Sequence, residues 1–442
     1  MIFEPFTIKN VTFKNRVLRS SIGGRTSYYD GTVTPAWKNF EKRFAEGGVA
    51  GIISATIGIN KRRLSPLEYP AISDDKYIKP LRDGVREVQK LGCRYIIQIG
   101  DPGGHTHMSL FSEEADAKSA SSGIDLVYGY RNRIIPMSAD EIEQEVQSFA
   151  EAARRVREAG CDGLEITASK GYIIQQFLNP ATNRRQDEYG GSADKRFRFL
   201  RDIITAVRKK IGGDFLLGVR LSAKDFNYLP FNVRWPLVFP LRHYFIGNDL
   251  PQTLQYGKEL EKLGADYLHI DSGFGFPNPK GNTGTYPVDG YKLFANATRH
   301  LSFKANLRAT IFNLLPLFMA RAIFGMGWKF EPGVNAGFAQ QFKQAVKIPI
   351  IANGGFQQRD LIDATLREQK CDMIAIARPL LANPDLLKIF QQGRNVPENP
   401  CTFCSRCCTR TAVQPLGCYE PSRFASMEEM EAQILQWSAN SE

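Results

Sequence analysis

Short apolar runs rich in β-branched residues recur along the chain, and a segment with the spacing of an amphipathic helix follows each of them. Eight such runs are found, at residues 16–20, 51–55, 94–99, 163–168, 216–221, 267–271, 349–353 and 373–377. Strands that alternate with helices indicate a parallel sheet, and eight repeats in about 380 residues predict a closed (β/α)8 TIM barrel of the α/β class. A doubly wound sheet is the structural alternative, but no Gly-rich dinucleotide fingerprint follows the first run.

Two stretches exceed what a minimal barrel needs. One covers about residues 225–249, after strand five, and the other covers about residues 284–333, after strand six. Loops of this length usually serve a function, and both would emerge at the carboxyl end of the barrel, where active sites lie. We therefore predict a barrel over residues 1–390 with two insertions, followed by a segment over 391–442 that holds a cysteine cluster and a C-terminal helix.

The second insertion carries an apolar stripe with helical spacing. Its apolar positions fall at i, i+4, i+7, i+8, i+11 and i+15, a pattern that bends at Pro316. They are Leu307, Ile311, Leu314, Leu315, Phe318 and Ala322, flanked by Arg299, Lys304, Arg308, Arg321 and Lys329. One interpretation is an interfacial segment that brings about residues 300–330 to an anionic membrane. The other, which we expect here, is a helical lid packed on the barrel or a contact in a homo-oligomer.

Composition and charge narrow the class of protein. The chain has 442 residues, of which 43% are hydrophobic, and this excludes a disordered, collagen-like or small disulfide-rich protein. Lys and Arg outnumber Asp and Glu by 57 to 46, so the net charge of +11 suits a nucleic acid, an anionic membrane or an acidic protein. The N-terminus, MIFEPFTIKN, lacks the pattern of a secretory signal, and we expect a cytoplasmic protein, with peripheral membrane association under the interfacial interpretation.

Five of the eight cysteines fall between positions 401 and 418, in the order Cys401-x2-Cys404-x2-Cys407-Cys408-x9-Cys418. Three thiolates on a tight loop with a fourth at a distance suit a [4Fe–4S] cluster, and either Cys407 or Cys408 can serve as the third ligand. Structural zinc held by four thiolates is the alternative, although only one clear C-x2-C pair is present. The other three cysteines, Cys93, Cys161 and Cys371, are expected in the core.

The segment GYIIQQFLNP at 171–180, continued by ATNRRQDEYGGS at 181–192, resembles the old yellow enzyme family. The resemblance is to the branch that contains 2,4-dienoyl-CoA reductase and trimethylamine dehydrogenase. Further matches are KNRV at 14–17, RLS at 220–222, IANGG at 351–355 and ARPLL at 377–381. The resemblance covers about residues 1–420 apart from the two insertions, and it implies that the barrel binds FMN.

The resemblance implies a set of FMN-binding residues at the ends of the strands. Gly354 and Gly355 follow strand seven, where glycines let backbone N–H groups approach a phosphate, and Ala377 with Arg378 follow strand eight. By the same resemblance the cation of Arg220 lies near the N1/O2 side of the flavin and Gln98 bonds its pyrimidine edge. The remaining implied contacts are Ser20, Ser21, Ile22 and Ala55.

At the substrate position the sequence departs from the family. Relatives carry a His followed three residues later by His or Asn, and the corresponding residues here are Thr167 and Lys170. Thr167 can donate one hydrogen bond to an activating oxygen, and Lys170 offers a charge for a carboxylate, phosphate or enolate-like oxygen. Tyr172 is retained at the family's proton-donor position. The altered pair also allows a subunit that transfers electrons or serves as a scaffold without catalysis.

Taken together, these residues predict an FMN- and [4Fe–4S]-dependent oxidoreductase that reduces an activated C=C of the enoyl or dienoyl type in a small molecule. The dienoyl-CoA-reductase-like spacing favours Cys401, Cys404, Cys408 and Cys418 as cluster ligands. Relatives with such a cluster continue into FAD- and NAD(P)H-binding regions, whereas this chain ends at residue 442. We therefore expect electrons from a separate donor, such as a ferredoxin-like protein or a flavoprotein reductase.

Two other functions are compatible with the same barrel. Run in reverse, the site would be a flavin-dependent dehydrogenase or demethylase of the trimethylamine dehydrogenase type. The basic charge also suggests an FMN barrel that acts on tRNA, which would need a basic RNA-binding extension and a catalytic Cys near strand three or four. The 179–192 motif and the cysteine cluster argue against the second, and we expect no nucleic-acid partner.

Overall fold

Eight parallel strands form a closed barrel in the computed structural model, which describes residues 1–62, 69–106, 117–123, 133–227, 246–275, 278–301, 303–411 and 413–437. In chain order the barrel strands are Val17–Arg19, Gly51–Gly58, Arg94–Gly100, Gly163–Ala168, Leu216–Ser222, Tyr267–Asp271, Ile350–Asn353 and Met373–Ile376. Each strand pairs with the next in the chain, and the eighth closes on the first with Ile374 beside Val17. The predicted (β/α)8 class is confirmed.

Helices surround the barrel, and a side chain caps the first turn of three of the outer ones, Pro35–Glu46, Ala139–Glu158 and Ala193–Ile211. Thr34 accepts a hydrogen bond from the backbone N–H of Trp37, and Ser138 forms a capping box with Glu141. The outer helices are Pro35–Glu46, Ile78–Gln89, Ala139–Glu158, Ala193–Ile211, Leu250–Lys262, Ala336–Ala345, Arg359–Arg367 and Leu386–Gln391. Further helices are Ile173–Leu178, Val288–Thr298, Phe303–Leu314, Leu317–Phe324, Arg378–Ala382, Arg406–Arg410 and Met427–Leu435. Short 3-10 turns are Asp75–Tyr77, Gly103–His105, Arg299–Leu301 and Pro421–Arg423, and a small parallel pair is Lys118–Ser119 with Ile135–Pro136.

An antiparallel hairpin closes the end of the barrel at which the strands begin. Its strands are Phe6–Ile8 and Val11–Phe13. Ile8, Val11 and Phe13 are buried in one cluster with barrel side chains such as Leu18 and Ile96. Because this end is filled with apolar side chains, the carboxyl ends of the strands are left to form the site.

The second insertion contains three helices with an aromatic core of their own. Phe312 stacks on Phe324 with ring centroids 4.7 Å apart, and Tyr286 lies 5.8 Å from Phe324. Helices Phe303–Leu314 and Leu317–Phe324 are separated by the predicted break at Pro316, and their axes bend by 116°. Within the described residues no single helix has the length and apolarity to cross a membrane, although this bent pair meets both criteria when taken together. Of the first insertion, residues 228–245 lie outside the described residues.

The C-terminal segment packs on both the barrel and the second insertion. Arg406 Nε lies 2.9 Å from Asp289 Oδ2 at the start of helix Val288–Thr298, and Trp437 packs edge-on against Phe40 with ring centroids 5.2 Å apart. The predicted boundary at residue 390 falls near the end of helix Leu386–Gln391 and stays a prediction. The three cysteines expected in the core, Cys93, Cys161 and Cys371, are buried free thiols, as predicted.

Candidate active site

A cavity of about 300 Å³ lies at the carboxyl ends of the barrel strands. Most residues that the sequence assigned to FMN or substrate line it. They are Ser20, Ser21, Ile22, Gln98, Thr167, Lys170, Tyr172, Arg220, Gly354, Gly355, Ala377 and Arg378. Ala55 is the exception among the assigned residues, because it is buried in the second barrel strand and its neighbour Thr56 lines the cavity instead.

Two glycines after the seventh strand form a cradle on one side of the cavity. Gly354 and Gly355 have φ angles of +100° and +77°, which L side chains rarely adopt. A Cβ on Gly355 would lie 2.5 Å from the backbone oxygen of Glu331, and a Cβ on Gly354 would lie 2.7 Å from Val334 Cγ1. Only glycine therefore fits both positions, and the backbone is open to a close approach by a ligand such as the phosphate of FMN.

Arg378 is the cation beside this cradle. Its Nη1 donates to Ser405 Oγ at 2.9 Å, and its Nη2 donates to the backbone oxygen of Thr283 at 2.6 Å. The guanidinium also lies over the ring of Phe403, 5.1 Å from the centroid. The cysteine segment and the second insertion thus fix the position of this side chain, and its five N–H groups leave donors for an anion.

Gln98 is held rigidly in the wall of the cavity by a buried polar network. Its Nε2 donates to Glu165 Oε1 at 2.6 Å, and its Oε1 accepts from Thr56 Oγ1 at 2.5 Å. Glu165 is itself bonded by the hydroxyl of Tyr267 at 3.1 Å and lies 3.1 Å from Nδ1 of His269. A carboxamide fixed at both ends in this way presents one orientation to a bound ring.

Arg220 and Lys170 share the carboxylate of Asp271. Arg220 donates to Oδ2 from Nε at 3.0 Å and from Nη2 at 2.5 Å, and Lys170 Nζ lies 3.0 Å from Oδ1. Burial raises the pKa of Asp271, but the charges of Lys170 and Arg220 outweigh it and hold the pKa well below its usual range. Lys170 Nζ also donates to the backbone oxygens of Gly281 at 2.8 Å and Ser272 at 3.3 Å, so protein acceptors face all three of its N–H groups.

A left-handed turn leads from the fourth strand to Tyr172. Lys170 and Gly171 have φ angles of +57° and +78°, and a Cβ on Gly171 would lie 2.9 Å from the Cα of Gly275. Tyr172 follows at the wall of the cavity and is hydrogen-bonded to Thr56. Burial raises the pKa of its phenol, which therefore keeps its proton at neutral pH.

The clustered cysteines lie on the far side of Arg378. Cys401, Cys404, Cys407 and Cys418 line a second, small cavity, whereas Cys408 lines the main cavity. Cys407 lines both cavities, and its Sγ lies 4.0 Å from that of Cys408. The spacing in the sequence had favoured Cys408 as the third ligand, but the lining of the small cavity favours Cys407. In the described part of the chain, no group of three or more His, Cys, Asp or Glu side chains is arranged to hold a metal ion as it stands.

Hydrogen-bond donors already point at two of these sulfur atoms. The backbone N–H of Phe403 donates to Cys401 Sγ at 3.4 Å, and Arg423 Nη1 donates to Cys418 Sγ at 3.0 Å. Donors of this kind stabilise thiolates and tune the clusters that thiolates hold. Four thiolates of this kind form a donor set that either an iron–sulfur cluster or structural zinc uses.

Sequence reasoning missed Asp271 and the network around Glu165. A signal was present, because Tyr267, His269 and Asp271 occupy every second position of the sixth strand and are all buried. In a closed barrel such an alternation places polar side chains on one face of the strand. Asn353, at the end of the seventh strand, lies 2.9 Å from His269 Nε2 and extends the same network.

The fold and this cavity define a barrel flavoprotein of the oxidoreductase class. The sequence profile of the NADH:flavin oxidoreductase / NADH oxidase family matches residues 1–228 and 325–396, and the chain belongs to this family. The match leaves residues 229–324, with most of the second insertion, and residues 397–442, with the clustered cysteines, uncovered.

Curated relatives agree with this assignment, and a solved structure shares the fold. The chain is 28% identical over 421 residues to a metal reductase of Desulforamulus reducens, covering 95% of this chain and 53% of the relative. It is 31% identical over 387 residues to an NADPH dehydrogenase of Geobacillus sp. (strain WCH70), and the match covers 87% of this chain and 92% of that relative. The structure of a 2-naphthoyl-CoA reductase in complex with 2-naphthoyl-CoA superposes on this chain with a TM-score of 0.73 at 22% identity. The superposition covers 92% of this chain and 54% of that one, and it shows a shared fold. The chain thus spans about half the length of the metal reductase.

Proposed function

We propose that the protein is an FMN- and [4Fe–4S]-dependent oxidoreductase that reduces an activated C=C bond, of the enoyl or dienoyl type, in a small molecule. The observation that carries the proposal is the presence of Tyr172 in the same cavity as the glycine cradle, Gln98 and Arg220. When bound, FMN supplies hydride and the cluster relays single electrons. The residues of the chain bind FMN, orient the substrate and protonate it.

The residues proposed to hold FMN fit that group. Gly354 and Gly355 open the backbone to the phosphate, and Arg378 supplies a positioned cation. Gln98 offers a fixed amide to the pyrimidine edge, and Arg220 places a cation where negative charge accumulates on reduction. Backbone groups of Ser20, Ser21 and Ile22 complete the proposed set, whereas Ala55 is replaced by Thr56.

Thr167 and Tyr172 are the groups proposed to act on the substrate. Thr167 lines the cavity and can donate one hydrogen bond to the oxygen that activates the alkene. Tyr172, with its proton retained, can protonate the carbon next to the one that receives hydride. We propose a narrower role for Lys170 than the sequence suggested: it positions Asp271, and through Asp271 the guanidinium of Arg220.

We propose a [4Fe–4S] cluster on Cys401, Cys404, Cys407 and Cys418. Support comes from the shared small cavity and from the N–H groups aimed at two of the sulfur atoms. The small cavity and the main cavity have Cys407 and Arg378 in common, so a cluster there would lie beside the flavin site. This proximity favours the entry of electrons through the cysteine segment, from a ferredoxin-like protein or a flavoprotein reductase.

Anaerobically purified protein provides the first test. Flavin bands with a broad shoulder, together with iron and sulfide in the ratio of a cubane cluster, are the expected result. Zinc without iron would overturn the cluster while leaving the FMN proposal intact.

The second test is stopped-flow reoxidation of the reduced protein by a panel of enones, dienes and enoyl thioesters. Rapid, saturable reoxidation by at least one class is expected. Reduction of the flavin by amines, without reoxidation by any alkene, would support the dehydrogenase alternative instead. Absence of both reactions in protein that holds FMN would leave only an electron-transfer role.

A further inference from the structure

The helical pair of the second insertion turns its large apolar side chains outward. We call residues 303–326 the hairpin. On its first helix the exposed side chains Phe303, Leu307, Ile311 and Leu314 follow one another at i, i+4, i+8 and i+11. The opposite face of the same helix is buried and carries Ala305, Ala309 and Phe312. Apart from Phe312, the large apolar side chains of this helix therefore face outward, which is the reverse of the usual arrangement.

The second helix continues the same exposed surface after Pro316. Its exposed apolar side chains are Leu317, Phe318, Met319 and Ile323, followed by Met326 in the turn beyond. Phe303, Leu314, Phe318 and Met326 are exposed to 81%, 78%, 73% and 77%. A contiguous patch of this kind marks an interaction surface, because a soluble monomer rarely leaves one open.

The charges around the patch are of one sign. Residues 290–330 contain six Lys or Arg and neither Asp nor Glu. Arg299 and Arg321 are exposed, and so is Lys329, which pairs with Glu331 just outside the segment. Apolar side chains bordered by cations match the interface of an anionic bilayer, whereas a second copy of the chain would bring two basic surfaces together.

We propose that the hairpin is a membrane-docking surface that seats on a bilayer containing anionic lipid. Its inner side is held to the protein by the aromatic core and by Lys292, which donates to the backbone oxygen of Leu315 at 3.1 Å. The exposed apolar side chains of the hairpin are thereby held on a rigid surface that faces the solvent. The sequence had favoured a packed lid or an oligomer contact, but five of the six residues of its predicted stripe, Leu307, Ile311, Leu314, Phe318 and Ala322, are exposed.

The hairpin is also connected to the active-site cavity. Helix Val288–Thr298 provides Tyr291 and Phe294 to the cavity lining, and the same helix packs against the hairpin through Lys292. Docking on a membrane would therefore place this wall of the cavity close to the lipid surface. A substrate with an apolar chain would gain most from such a position.

Vesicle flotation of the full-length holoprotein tests the proposal. We expect the protein to bind vesicles of phosphatidylcholine with phosphatidylglycerol about tenfold or more tightly than vesicles of phosphatidylcholine alone. The double variant Leu314→Ser/Phe318→Ser should lose about tenfold or more of this binding. The matched control Tyr28→Ser/Met427→Ser removes two exposed apolar side chains elsewhere and should bind as the wild type does. Arg321→Gln should reduce the preference for anionic vesicles several-fold.

Flavin content and the thermal midpoint establish that each variant is folded, which is expected because the substituted side chains are exposed. Failure of the wild type to float with anionic vesicles would overturn the proposal. So would equal flotation of the wild type and the Leu314/Phe318 variant. A dimer in sedimentation velocity that this variant dissociates, without any flotation, would assign the surface to a second copy of the chain.

Discussion

The carboxylate of Asp271 joins Lys170 to Arg220, with Lys170 Nζ 3.0 Å from Oδ1 and Arg220 Nε 3.0 Å from Oδ2. The buried Arg220 and Asp271 and the half-buried Lys170 thus lie together in the cavity wall, with a net charge of +1 while Lys170 is protonated. Burial lowers the pKa of Lys170, and Asp271 opposes that shift. A buried positive charge at this position would stabilise an anion that develops in the cavity, whether on the flavin or on a substrate oxygen.

Asp271→Asn should destabilise the protein by about 3 kcal/mol at neutral pH, because it leaves the buried Arg220 and the half-buried Lys170 without their counter-charge. Urea unfolding measures the change. Asp214→Asn is the matched control, since Asp214 pairs with Arg157 on the surface and its loss should have no measurable effect. Equal stability of Asp271→Asn and the wild type would contradict the assigned role.

The same carboxylate should give the protein an acid-dependent stability. The folded pKa of Asp271 is depressed below the unfolded value of about 3.9, so its contribution is complete above that value. The contribution should be lost progressively as the pH falls from about 4 toward the folded pKa. Unfolding measured across this range should show a steeper loss for the wild type than for Asp271→Asn, and parallel curves would contradict it.

Gly355→Ala should weaken FMN binding about tenfold or more. Its Cβ would collide with the backbone oxygen of Glu331 and disturb the cradle that Gly354 shares. Gly393→Ala is a suitable control, because Gly393 also has a positive φ, of +87°, but a Cβ there would have no neighbour within 4 Å. Fluorescence titration of the apoproteins with FMN measures both, and equal affinities would show that the cradle does not hold the phosphate.

Cys407→Ser and Cys408→Ser separate the two candidates for the third cluster ligand. Because Cys407 lines the small cavity with Cys401, Cys404 and Cys418, its substitution should remove iron and sulfide. Cys408→Ser should retain both and keep the electron paramagnetic resonance signal of the dithionite-reduced protein. The opposite pattern would restore the ligand set that the sequence spacing favoured.

Tyr172→Phe should slow reoxidation of the reduced flavin by an alkene about 10²-fold or more, since the proton donor is removed. Reoxidation by oxygen needs no proton at carbon and should change little. Tyr95→Phe, at a buried tyrosine in the third strand, serves as the control for loss of a hydroxyl. An unchanged rate with the alkene would assign the proton to another group or to water.

The barrel could be predicted from sequence because the strands are buried throughout, apart from Arg94 at the start of the third, and each is followed by a segment with helical periodicity. Strand Gly163–Ala168 is buried throughout, and its bounds agree with the prediction. The residues proposed to bind FMN were predicted for a different reason. Their motifs follow the carboxyl ends of parallel strands, and a closed barrel brings these ends together on one side. Ala55 does not line the cavity and its neighbour Thr56 does, at the point where the register of the second strand shifts between Ile53 and Thr56, and the FMN contact of Ala55 stays a prediction.

The polar interior and the hairpin could not be predicted in the same way. Asp271 belongs to the site because it contacts Lys170, after the fourth strand, and Arg220, in the fifth. A local sequence pattern does not show which charged residues of different strands come into contact. In the hairpin, helical periodicity was correct but the buried face was not, because Ala305 and Ala309 gave no apolar bulk to mark it. Burial depends on what a helix packs against, which periodicity alone does not determine.

The antiparallel β-strand pair of residues 6–13, at the end of the barrel where the strands begin, has a consequence for the kinetics. Because that end is filled, the soluble reductant and the alkene of the proposed reaction would both reach the proposed flavin site from the carboxyl end of the strands. Binding of both at the same position in the cavity would give a ping-pong order, in which an excess of either reactant inhibits. Electrons delivered through the cysteine segment would avoid this competition, so the flavin could be reduced while the alkene is already bound.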